Sequence, residues 1–232
     1  MSAKIITVFN QKGGCAKTMT TMQLAGTFAL RGLKVFVVDM DAQNTSTLWS
    51  LGAEDASPFP ATVLSFAPLQ EGFLQKLPPL MEKYDVVLID CPPSLGSRVP
   101  WAALSIADLA LIPVIPVMDN VWASKQAEDL ILQARESRNQ NGVAVELKAA
   151  YLLSVVRRGK IYAACLDELK RNSRIPILKA FISHRNAFPE SQLFGCCVKS
   201  MGASAATTEV DAAAEEIAGL VGLKLTKQKV SK

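Results

Sequence analysis

Residues Ile5-Ile-Thr-Val-Phe-Asn-Gln-Lys-Gly-Gly-Cys-Ala-Lys-Thr18 join a short apolar β-branched run to a helical pattern through a pair of glycines. A strand that turns into a helix in this way presents successive backbone N–H groups at the helix N-terminus. The helix dipole adds to their attraction for an anion. Lys17 is placed to reach the β- and γ-phosphates of a nucleotide, and the Thr18 hydroxyl to ligate Mg²⁺. Against the pattern G-x-x-x-x-G-K-[ST], the stretch departs at two positions. Gln11 stands at the first glycine and Ala16 at the last. A Cβ at residue 16 narrows the allowed backbone dihedrals.

Outward from this stretch, apolar runs alternate with segments of helical period. The pattern predicts strands at Lys4–Phe9, Lys34–Asp39, Asp85–Asp90, Leu109–Ile115, Lys148–Val155 and Ile177–Ile182. Helices are predicted at Lys17–Arg31, Arg98–Ala107, Ala123–Asn139, Lys160–Asn172 and Thr207–Val221. Runs such as Val86-Val-Leu-Ile89 are apolar on both faces, as in parallel strands covered by helices on each side. The expected fold class is α/β, a doubly wound, mostly parallel sheet flanked by helices, with its ligand beyond the carboxyl ends of the strands. Residues 1–222 are expected to form a single domain. Gly52–Pro79 reads as an irregular excursion and 223–232 as a basic, flexible tail.

Two of these runs end in carboxylates. Val35-Phe-Val-Val-Asp-Met-Asp41 places Asp39 and Asp41 on the same side of a strand end, where they could order Mg²⁺ and a water. Val86-Val-Leu-Ile-Asp90 has the form of a Walker B element, in which Asp90 would hold Mg²⁺ through water.

The order K-G-G-x-x-K-T, D-x-D and apolar strand–Asp resembles the ParA/MinD family of deviant Walker A ATPases. Phe9-Asn-Gln-Lys-Gly-Gly14 looks most like the small plasmid and chromosome partition members, ParF-like proteins among them. The resemblance implies a P-loop fold, ATP and Mg²⁺ as cofactors, and weak intrinsic ATP hydrolysis. It implies that Gln11, Lys12, Gly13, Gly14, Cys15, Ala16, Lys17, Thr18 and Met19 surround the nucleotide. Lys12 would reach across an ATP-dependent homodimer to the partner's ATP. Asp41 would position the attacking water, so that Lys12, Lys17 and Asp41 form the catalytic set. Asp39 would support the metal beside Thr18 and Asp90. Ala42 replaces a proline usual in the family, and Cys91-Pro-Pro-Ser94 resembles its switch loop. His184-Arg-Asn-Ala-Phe-Pro-Glu-Ser191 is similar to the region that flanks the adenine.

Charge points to a further partner. The formal charge is only +4, but residues 1–150 carry −2, 151–199 carry +6 and the remainder is neutral. The positive block contains Arg157, Arg158, Lys170, Arg171, Arg174, Lys179 and Arg185, a surface suited to non-specific DNA with salt-sensitive affinity. The resemblance implies a ParB-like adaptor protein that stimulates hydrolysis. The alternatives are a related ATPase that positions a protein cargo, or a metabolic ATP-dependent enzyme on the same scaffold. One histidine excludes a multi-histidine metal site, and five cysteines without C-x-x-C spacing point to a reducing, cytoplasmic setting; the resemblance to partition ATPases implies association with the nucleoid. The C-terminal Leu220, Val221, Leu223 and Leu225 lack the broad apolar face of a membrane-docking helix, so no membrane partner is expected.

Overall fold

The computed structural model describes residues 3–93 and 96–226. Seven parallel strands form one sheet: β1 (Lys4–Val8), β2 (Val35–Asp39), β3 (Thr62–Ser65), β4 (Val86–Asp90), β5 (Leu109–Val114), β6 (Lys148–Val156) and β7 (Ile177–Ser183). Their spatial order is β3-β2-β4-β1-β5-β6-β7. The helices are α1 (Lys17–Leu30), α2 (Thr45–Leu51), α3 (Pro78–Met81), α4 (Val99–Ile106), α5 (Met118–Gln140), α6 (Lys160–Asn172), α7 (Ala187–Leu193) and α8 (Ala205–Val221).

The two-period of a strand explains the layering. On β4, Val87 and Ile89 enter the core that includes Val99 and Leu104 of α4, Ile131 of α5 and Leu169 of α6. Val86 and Leu88 enter the opposite core, with Leu24 and Phe28 of α1 and Ile217 of α8. All four are fully buried, each contributing roughly 1.5–3 kcal/mol of transfer free energy. This two-sided burial is why the sequence shows unbroken apolar runs rather than alternation.

The sheet carries one strand more than the pattern revealed. Gly52–Pro79 is not wholly irregular: it contains β3, paired in parallel with β2 from Phe36↔Thr62 to Asp39↔Ser65, and a 3-10 segment, Ala67–Gln75. β3 is short and half-exposed at the sheet edge, so its apolar signal is weak. At the other edge, the amides of Lys179, Ala180 and Ser183 on β7 donate to Glu216 and Glu209 of α8.

Residues 223–226 also depart from the expected loose tail. Leu223 and Leu225 pack against the core, and the Thr226 amide donates to the Arg31 carbonyl at 3.0 Å while Arg31 Nε donates back to the Thr226 carbonyl. Residues 227–232 lie outside the described residues, as does Ser94 of the expected switch loop.

Candidate nucleotide site

Strand β1 is central, with β4 and β5 on either side, so the loop that leaves its carboxyl end opens at the point where the winding reverses direction. Gly14 and Ala16 both take left-handed dihedrals, with φ of 69° and 68°. Glycine adopts this at no cost; alanine does so at about 1 kcal/mol. Ala16 is the N-cap of α1 and offers no side-chain oxygen, leaving the first helical amides free for an external anion. An added Cβ at Gly14 would meet nothing within 4 Å, so the loop is open where a phosphate would approach.

Lys17 is buried, and its ammonium donates to the Lys12 carbonyl at 3.0 Å, with Cys15 Sγ at 3.7 Å. The Cys15 thiol donates to the same carbonyl, and burial pushes its pKa up despite the nearby ammonium. Lys12 is held by an ion pair to Asp119 at the start of α5. Its hydrogen bond holds the exposed Asp119 carboxyl below its ordinary range.

The acidic strand ends meet laterally, since Asp39 and Asp90 are register partners on β2 and β4. Asp90 is buried and its Oδ2 accepts from Thr18 Oγ1 at 2.8 Å and Ser46 Oγ at 2.7 Å. Burial, with a smaller contribution from the Asp39 charge, pushes its carboxyl up to about 6 against these hydroxyl donors. Asp39 is equally buried, but its oxygens are taken by protein donors. Oδ1 accepts the Asp41 amide, and Oδ2 accepts both the amide and the hydroxyl of Thr47. The two strand-end aspartates therefore differ in kind: Asp39 anchors the start of α2, while Asp90 faces the phosphate loop. Asp41 is half-buried, and its Oδ1 accepts the Gln43 amide at 2.9 Å.

A metal that joined this site would find hard oxygen donors, Thr18 Oγ1 and Ser46 Oγ, around one carboxylate. That set suits Mg²⁺, which binds through one or two carboxylates and otherwise keeps water and phosphate oxygens. No cluster of three or more His, Cys, Asp or Glu side chains suited to a metal occurs among the described residues.

Beside the loop lies a cleft of about 270 Å³, lined by Ala16 and Met19 on one side and by His184, Asn186, Phe188 and Pro189 on the other. Val155, at its back, has φ of 55°, a strained value for a β-branched residue, within a register irregularity between β6 and β7. His184 Nε2 and Arg157 Nη2 are 2.9 Å apart at its rim. Ala16 and Met19 thus face residues of the 184–191 segment, far away in sequence, across one cavity.

Two participants escaped the sequence reading. Ser46 lies in Asn44-Thr-Ser-Thr47, a hydroxyl-rich stretch just after the acidic box, which is the signal that could have found it. Asp119 had no signal, because its pairing with Lys12 spans 107 residues. Of the tryptophans, Trp49 is buried and donates to the Cys196 carbonyl, whereas Trp101 and Trp122 are exposed.

The +6 block is partly neutralised from outside itself. Arg174 pairs with Glu128 and Asp129 of α5, and Arg185 with Glu209 and Lys199 with Asp211 of α8; within the block, Arg171 pairs with Glu168. Arg157, Arg158, Lys170 and Lys179 are exposed, and none of them forms an ion pair among the described residues; Arg158 stacks over Phe181. No helix among the described residues is long and apolar enough to cross a membrane.

Residues 6–196 match the sequence profile of the CobQ/CobB/MinD/ParA nucleotide binding domain. The chain is 28% identical over 199 residues to the maintenance of carboxysome distribution protein A of Halothiobacillus neapolitanus, covering 85% of this chain and 88% of that one. It is 26% identical to the sporulation initiation inhibitor protein Soj of Bacillus subtilis, covering 83% and 88%. The structure of a Cyanothece McdA variant in complex with ATP superposes with a TM-score of 0.75 at 17% identity, covering 98% of this chain and 99% of that one. The chain belongs to the CobQ/CobB/MinD/ParA nucleotide-binding family and is an ATPase of the ParA/MinD type.

Proposed function

We propose that this ATPase is a partition-type switch. It dimerises on ATP, binds DNA non-specifically in that form, and is released by hydrolysis that a ParB-like adaptor stimulates. The observation that carries the reading is the convergence of Lys17, Thr18, Ser46 and Asp90 around one open phosphate loop. Residues 1–222 would act as one unit, in the cytoplasm and on the nucleoid.

In this reading the backbone amides of Gly13 to Thr18 cradle the phosphates, and Gln11 and Met19 flank them. The Lys17 ammonium exchanges the Lys12 carbonyl for the β- and γ-phosphate oxygens. Thr18 and Ser46, whose hydroxyls donate to Asp90, would hold Mg²⁺ together with that carboxylate, Asp90 acting through water. Mg²⁺, when bound, offsets the charge that develops on the phosphates. Asp39 serves by fixing α2, and hence Ser46. Asp41 Oδ2 orients the attacking water. Lys12 leaves Asp119 and reaches the nucleotide of the second subunit, so dimerisation and release of the Lys12–Asp119 pair are one event. Because the dimer binds ATP better, ATP shifts the population toward it. Arg157, Arg158, Lys170 and Lys179 supply the DNA contact.

The test is Lys12→Ala, followed by light scattering, phosphate release and a DNA gel shift with ATP. The variant is expected to bind ATP, remain monomeric and lose ATP-dependent DNA binding. Parent-like dimerisation and turnover would refute the role. A second reading, positioning of a protein cargo, is favoured by the similarity to the carboxysome distribution protein. It shares every step above and differs only in the adaptor.

A further inference from the structure

We propose that a second cleft, at the amino-terminal end of the sheet, binds a small monocarboxylate with an apolar body. The cleft has a volume of about 420 Å³, within the range of small-molecule sites. Lys4 at the start of β1 lines it, whereas Val8 at the other end of the same strand leads into the phosphate loop, so the two sites lie at opposite ends of the sheet. Its walls are apolar, formed by Leu74, Leu77 and Met81 on one side and Ile106, Val143 and Val145 on the other. Val143 and Val145 belong to an exposed loop and also line an adjoining cavity of about 200 Å³.

The polar end of the cleft consists of Lys4, Asp108 and Arg138, two cations against one carboxylate. Both Asp108 oxygens already accept: Oδ1 from Lys4 Nζ at 2.9 Å and Oδ2 from the Ile5 amide at 2.8 Å. Arg138 is 6% exposed and donates only to backbone carbonyls, from Nη1 to Leu104 and Ala107 and from Nη2 to Val145. Its Nε has no hydrogen-bond partner. No carboxylate forms an ion pair with it among the described residues. The guanidinium thus rests its charge on backbone carbonyls beneath an apolar cleft, and the nearby anion, Asp108, is shared with Lys4, which leaves one positive charge in excess.

These features specify the occupant. The excess is a single positive charge, which suits a monoanion rather than a phosphate ester. The ammonium of Lys4, with a 39% exposed side chain, gives one donor to Asp108 and keeps two for a ligand oxygen. Arg138 adds its field from beneath. The six apolar walls suit an alkyl or similar body rather than a sugar. The site is independent of the nucleotide chemistry, because none of its residues touches the phosphate loop.

The experiment is calorimetric titration of the full chain with sodium decanoate below its micelle concentration, with 1-decanol as the uncharged control. Decanoate is expected to bind saturably at one per chain, and decanol about tenfold more weakly, the value of one charge-assisted hydrogen bond. Lys4→Gln is expected to weaken decanoate by a similar factor. Val143→Trp, on the exposed loop, and Met81→Trp, on the opposite wall, fill the cleft. Each is expected to remove binding while ATP turnover stays at the parental rate. No saturable decanoate binding up to millimolar concentration overturns the proposal. So does decanol binding as tight as decanoate, or parental affinity in both tryptophan variants.

Discussion

The phosphate end of the sheet and the basic segment 151–199 handle charge in opposite ways. Around the phosphate loop a few ionisable groups are buried and incompletely compensated: Asp90 hydrogen-bonds only to hydroxyls, with a weak pull from the Lys17 charge, and Lys17 donates to a carbonyl and a thiol sulfur rather than to a carboxylate. In the basic segment the charges are numerous and exposed, and several are already matched by Glu128, Asp129, Glu209 and Asp211 from α5 and α8. Counting charge along the chain therefore overstates the second region and understates the first. What matters for ligand binding is the charge that folding leaves unanswered.

The largest test of this contrast is at Asp90. Burial raises its carboxyl from 3.8 to about 6, so between these values the folded chain holds a proton that the unfolded chain has lost. Stability of the nucleotide-free chain is expected to fall as pH rises from 4 to 6 and to stay lowered above it. Asp90→Asn removes the buried charge. It is expected to flatten that part of the curve in urea titrations, raise stability at pH 7.5 by up to about 3 kcal/mol, and abolish turnover. An unchanged pH profile in the variant would show that Asp90 is already compensated.

A smaller effect separates the arginines of the basic segment. Arg174 donates to the buried Glu128, which also accepts the Tyr151 hydroxyl. Arg174→Ala leaves the Glu128 carboxylate buried without its cation; it is expected to lower the thermal unfolding temperature and to leave the salt dependence of DNA binding unaltered. Arg158→Ala is expected to do the reverse, lowering the salt slope by about 1 while thermal unfolding barely moves. If the two variants exchanged behaviours, the division between matched and unanswered charge would fail.

The smallest effect is at Ala16, held at φ 68° where glycine is at ease. Ala16→Gly is expected to relieve about 1 kcal/mol of strain, partly offset by the greater freedom of glycine in the unfolded chain. Thermal unfolding measures the sum. A destabilised glycine variant would mean that the strain at Ala16 is smaller than the conformational freedom glycine adds to the unfolded chain.

Much of this was legible in the sequence. The parallel core strands announced themselves by being apolar on both faces, and the phosphate loop by its fixed residue types at fixed spacing. The elements missed had physical reasons to be silent. β3 is four residues at a half-exposed edge, and α2 takes its start from Asp39 hydrogen bonds rather than from an apolar period. Ser46 enters the site only because α2 is anchored there. Likewise the partners of Lys12, Arg174 and Arg185 come from helices remote in the chain, which no local spacing announces.

The carboxylates of Glu209 and Glu216 have a consequence for solution behaviour. By occupying amide donors on β7, they deny an incoming strand the hydrogen bonds with which it would extend the sheet. Glu209 also holds the Ser183 hydroxyl and Arg185, so removing it is expected to loosen α8 from this edge and lower the melting temperature as well as leave β7 amides open to another strand.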